Sequence, residues 1–166
     1  MPRTKKDQKS NQILVAIIGI GIIAGVVGVS FVFMTQATNS ENYIKTIQSV
    51  SDQSRVFTQT YEDSIAKWQD GQISREEMLK ITDDQLESLD GLLAKLKSME
   101  PPEKFRAAHE LGILSLSHEL QSDRHMRNYV ETGNEDEYKM SVEFLQKAFD
   151  YEREALEEFS RAGKST

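Results

Sequence analysis

Asp70-Gly71-Gln72-Ile73-Ser74-Arg75-Glu76-Glu77-Met78 ends one amphipathic pattern and starts another, and so separates a folded bundle from one long coiled coil. Gly71 suits a chain reversal. Ser74 and Glu77 stand at capping-box spacing, while Ile73 and Met78 are placed as the hydrophobic staple of a new helix. Upstream, Tyr43, Ile47, Val50, Ser54, Phe57, Tyr61, Ser64 and Trp68 alternate by four and three residues, the signature of a helix with one buried seam. Downstream, Met78, Leu79, Leu86, Leu89, Leu92, Leu93, Leu96 and Met99 form a denser apolar face.

Two further breakers divide the rest. Pro101-Pro102 biases Glu100 away from helical geometry and removes two backbone donors. Gly133 suits a left-handed helix end, and Asn134 can cap the next helix. Phe105, Ala108, Leu111, Leu116, Leu120, Met126 and Val130 mark the third helix; Tyr138, Val142, Leu145, Phe149, Leu156 and Phe159 mark the fourth. Helices are expected at about 41–70, 75–99, 103–132 and 135–162. Joined by short turns, they predict an all-α, antiparallel up-down-up-down four-helix bundle over 41–162, with a polar tail at 163–166.

Ahead of the bundle, Ile13 to Met34 holds no charge, amide side chain or proline over 22 residues. As a helix it would be about 33 Å long and could cross a ~30 Å hydrocarbon core. The leader 1–12 carries four basic residues, Arg3, Lys5, Lys6 and Lys9, against Asp7, a balance of +3. Such a leader stays on the cytoplasmic side, which places the C-terminal domain outside. The expectation is a single-pass protein of the cell membrane with a transmembrane helix at 13–34 and a joint at 35–40. Secretion after cleavage near Ala37 is the alternative. Gly21, Gly25 and Gly28 form a strip on which a second membrane helix could pack, although glycine is common in membrane helices generally.

Composition removes several function classes. Beyond the span the chain has 16 basic and 26 acidic side chains, so it lacks the basic face that nucleic acid requires. With no cysteine there is no disulfide, thiolate chemistry or lipid-modified cysteine anchor. No cofactor and no metal site are expected. His118 and His125, with Glu119 and Asp123 on the neighbouring face, lack the Glu-x-x-His pairs on two helices that a di-iron bundle shows, and HExxH is absent. Ser122, Asp123 and His125 crowd one helical turn, too close to surround a substrate as a triad. No catalytic residue, and no enzymatic activity, is expected.

Polar residues near the seams are the remaining candidates. Counting outward from the turns sets Glu152 level with Arg55, which predicts an interhelix ion pair. The same counting brings Gln59, Gln85, His118 and Glu119 to one height, a candidate polar layer able to hold water or a small ligand. In outline the bundle is similar to the four-helix sensor domain of chemoreceptors, which re-enter the membrane through a second span; Ala162 to Thr166 is instead a polar tail.

Two functions are compatible with these features, the first the expectation and the second its alternative. One is a non-enzymatic interaction or accessory subunit, partnered by the lipid bilayer and by a membrane protein or a second copy of the chain. The other is an extracytoplasmic domain that binds a small ligand and acts through a partner. A dry, packed interior favours the first and a polar cavity the second.

Overall fold

The computed structural model describes residues 38–164, with side chains from 40 to 163. The apolar run Ile13–Met34, its Gly21, Gly25 and Gly28, and the cleavage position at Ala37 lie outside the described residues. No helix among the described residues is long and apolar enough to cross a membrane.

Four helices pack together: α1 (Thr38–Gln69), α2 (Arg75–Lys97), α3 (Arg106–Thr132) and α4 (Glu135–Lys164), with no strand among the described residues. Their ends follow from local chemistry. Ser74 caps α2, its hydroxyl accepting the Glu77 N–H at 3.1 Å, after Gly71 has reversed the chain at φ 72°. Pro101-Pro102 holds α2 and α3 apart, and a single 3₁₀ turn at Glu103–Phe105 re-enters the helix. Gly133, at φ 70°, ends α3 by returning its N–H to the Tyr129 carbonyl at 2.8 Å. Asn134 then accepts the Asp136 N–H through Oδ1 at 3.1 Å, satisfying one of the free donors at the start of α4.

α2 packs against α1 and α3, and α3 most closely against α4. Cross-helix contacts give the sense of each pair. Asp83 meets Arg127 and Gln85 meets Asp123, so α2 and α3 run antiparallel; Ser115 reaches the Ala148 carbonyl and Ser122 reaches Ser141, so α3 and α4 do too.

The core has three apolar tiers. Tyr43, Phe105, Ala108, Phe159 and Ala162 fill one end, the Tyr43, Phe105 and Phe159 rings stacking on one another. Val50, Leu89, Leu92, Leu93, Leu116 and Leu120 form the middle. Tyr61, Ile65, Met78, Met126 and Val130 fill the end near the α1–α2 and α3–α4 turns. The middle tier draws on α1, α2 and α3 and takes nothing from α4.

Small side chains explain that gap. Ser115, Ser122, Ser141 and Ala148 let α3 and α4 approach until the Ser115 hydroxyl donates to the Ala148 carbonyl at 2.9 Å and the Ser122 and Ser141 hydroxyls meet at 3.1 Å. α4 is drawn onto α3, and the α1 and α4 backbones do not come into close packing. Space is left between them, and the candidate site lies in it.

Candidate functional site

A cavity of about 160 Å³ lies between α1, α3 and α4, with Leu96 of α2 at its back. Ile47, Val50, Leu116, Leu145, Phe149 and Leu156 supply apolar wall; Ser54, Thr58, Glu119 and Glu152 supply the polar wall. A cavity of about 150 Å³ is known to accept benzene, so the space suits a ligand of roughly six to ten heavy atoms.

Glu119 is the centre of the polar wall. It projects from α3, where burial and the nearby carboxylates of Glu152 and Glu62 push its carboxyl up to about 7, against hydrogen bonds from Thr58 and Ser54 that hold it down. One turn along α3, Asp123 is buried too and is raised well above the usual carboxylate range by burial and by Glu119, with only the Gln85 amide, at 3.3 Å, as a hydrogen-bond partner among the described residues. Glu62 of α1 is raised by burial and by Asp63, and its Oε1 is buried without a hydrogen-bond partner. Glu152 of α4 is raised by burial alone. Four carboxyl groups thus share the interior and none has an ion-pair partner among the described residues.

The cations and histidines near the cavity do not neutralise them. Arg55 lies on the cavity wall, but its guanidinium is paired with Asp52 at 3.5 Å and its side chain is 42% exposed. His109, also on the wall, is buried; desolvation lowers its pKa, and its Nδ1 meets the Tyr43 hydroxyl at 3.1 Å. A neutral ring that accepts from Tyr43 fits both facts.

The ion pair expected between Arg55 and Glu152 is corrected accordingly. Both residues border the cavity, but the separation of α1 and α4 leaves Arg55 with a partner one turn away on its own helix and leaves Glu152 in the interior without one. The polar layer is redrawn as well. Gln85 is buried against Asp123 and Glu119 lies inside, while Gln59 is exposed and the adjacent Thr58 points inward in its place. His118 occupies the α3–α4 groove, its Nδ1 at 2.8 Å from the Leu114 carbonyl and its ring 4.9 Å from that of Tyr151. His125 pairs with Glu137 at 2.7 Å near the α3–α4 turn, away from the cavity.

Two interior residues, Thr58 and Glu62, escaped the sequence reading, and Asp123 was weighed there only for metal binding and catalysis. A signal for the first two exists, since Ser54, Thr58 and Glu62 form an i, i+4, i+8 row beside the apolar seam of α1. A row of hydrogen-bonding side chains flanking a seam is aimed at the edge of the core. Among the described residues no group of three or more histidine, aspartate or glutamate side chains is arranged to hold a metal ion. No protein-family model matches the chain, and no curated protein or solved structure proves similar to it.

Proposed function

We propose that this chain is a membrane-anchored domain that binds a small ligand in the cavity between α1, α3 and α4 and acts through a partner protein rather than by catalysis. One observation carries the reading: the interior beside α4 is an open space of about 160 Å³ walled by apolar side chains and uncompensated carboxyl groups. A bundle evolved only to present its outside to a partner gains nothing from that arrangement. Burying an unpaired carboxyl costs several kcal/mol or forces it to keep a proton, whereas a well-packed apolar interior avoids both penalties.

The anchor belongs to the proposal. The uncharged run from Ile13 to Met34 and the basic leader before it support insertion with the N-terminus inside and the bundle outside. A second membrane protein would then pass on the event of binding.

The test uses the full-length chain in detergent, with its isoleucine, leucine and valine methyl groups isotope-labelled. Benzene-sized fragments that are cationic, neutral and anionic are titrated in turn. The expected result is saturable shifts at Val50, Leu116, Leu145 and Leu156 with at least one fragment class, while Val130, in the tier near the turns, stays still. Absence of shifts at the cavity methyls with every class would leave the interaction-subunit reading in its place.

A further inference from the structure

Resting on that ligand-binding reading, we infer that the ligand is a compact organic cation, a protonated amine on a small apolar body, held with its charge between Glu119 and Glu152. The cavity is two-sided in chemistry. Ile47, Val50, Leu145 and Phe149 offer nothing but dispersion contact, and the hydroxyls of Ser54 and Thr58 with the two carboxyl groups offer oxygen atoms. A ligand that fills the space therefore meets carbon on one side and acceptors on the other.

Charge decides among the candidates. The titratable groups lining the site are Arg55 on α1, His109 and Glu119 on α3 and Glu152 on α4; α2 contributes only Leu96, and Glu62 and Asp123 stand behind Glu119. Arg55 is turned to Asp52 at the surface. His109 is held neutral by desolvation. An anion would enter among carboxyl groups with no free cation to receive it. A neutral ligand would leave those groups without a counter-charge. A cation supplies the charge that the wall lacks, and its N–H donors match acceptors that are under-used: Glu152 has no hydrogen-bond partner at all among the described residues. Hydrogen bonds between ammonium and carboxylate are roughly twice as strong as neutral ones. The hydrophobic wall then fixes the body of the ligand, so an amine with no apolar substituent would not be retained.

The cation binds best to ionised Glu119, whose carboxyl is pushed up to about 7, so binding tightens as pH rises through about 7. An ordinary alkylamine stays protonated over that range, as lysine does.

Calorimetric titration of the full-length chain with benzylamine, benzyl alcohol and benzoate tests the assignment, at pH 6 and pH 8. The expected result is benzylamine bound at least tenfold more tightly than the alcohol, with no benzoate binding and tighter amine binding at pH 8. Glu152→Gln should remove that preference, and Ser51→Phe, which fills the cavity from the partly exposed face of α1, should abolish binding altogether. Leu145→Trp provides the same block from α4 should Ser51→Phe fail to fold. Benzyl alcohol binding as tightly as the amine, with Ser51→Phe blocking both, would overturn the cationic ligand and keep the pocket. Absence of binding by all three probes would overturn both, as would binding that neither filling variant alters.

Discussion

The hydroxyl of Thr58 on α1 contacts the Glu119 carboxyl on α3 and, at 2.9 Å, the carbonyl of Ser54. A hydroxyl has one proton to give. It donates to one of them at a time, the Glu119 carboxylate or the Ser54 carbonyl, and donation to Glu119 favours the ionised carboxylate. The contact ties α1 to α3 across the bundle, and burial raises the Glu119 carboxyl to about 7 in spite of it.

The first consequence is a pH dependence of inverted sign. The Glu119 carboxyl rises from 4.5 to about 7 on folding, so the folded chain holds the proton more tightly than the unfolded one. Its contribution is fully present below pH 4.5 and is lost as pH rises through 7, an effect on the order of 3 kcal/mol. Glu62, Asp123 and Glu152 shift in the same direction, and the lowered His109, which opposes them below about pH 6.5, is one group against four. The melting temperature should rise by several degrees between pH 8 and pH 5, and Glu119→Gln should remove much of that slope. Below about pH 4.5 the trend reverses, because Asp136 and Glu137 lose the partners that hold them low. Thermal unfolding followed by circular dichroism across this range checks it; a melting temperature that falls steadily from pH 8 to pH 5 would contradict it.

Tyr43 separates packing from hydrogen bonding. Its ring stacks against both Phe105 and Phe159, with centroids at 5.6 and 6.3 Å, while its hydroxyl meets His109. Tyr43→Phe keeps the stack and should cost about 1 kcal/mol. Tyr43→Ala opens a void in that tier and should cost about 3–5 kcal/mol. Urea denaturation of the two variants gives the comparison.

Arg55→Ala should shift stability by less than about 0.5 kcal/mol, because its partner is Asp52 at the surface and exposed pairs contribute little. Had Arg55 neutralised Glu152, the same substitution would strand a buried charge and cost about 3–5 kcal/mol. Melting temperatures distinguish these outcomes by magnitude.

The helix ends give a fourth prediction. Gly133→Ala places a side chain at φ 70° and should destabilise by about 1 kcal/mol. Ser74→Ala removes the acceptor for the Glu77 N–H and should cost a similar amount, about 1 kcal/mol. Urea midpoints of the two variants against the parent chain check both.

The helical architecture was legible because its signals are local. Gly71, Ser74, Pro101-Pro102 and Gly133 each act on their own backbone, and four-three spacing reports a buried face whatever it packs against. The cavity was less so, because it depends on how closely two helices approach. Ser115, Ser122, Ser141 and Ala148 set the α3–α4 distance, and their effect appears only when the two helices are side by side. Rotation about a helix axis was the other hidden quantity. Neighbouring residues on a helix point about 100° apart. Reading Gln59 where Thr58 belongs is an error of that size, and it hid the contact on which the polar wall depends.

The most direct measurement is a carbon-13 titration of the Glu119 side-chain carboxyl in the full-length protein, with and without saturating benzylamine. A midpoint near 7 is expected in the empty protein. Benzylamine should move it down toward the ordinary carboxylate range, as an ammonium group replaces the proton. A midpoint already near 4.5 without benzylamine, or one near 7 that the amine leaves unmoved, would contradict a proton-holding Glu119 that exchanges its proton for a bound cation.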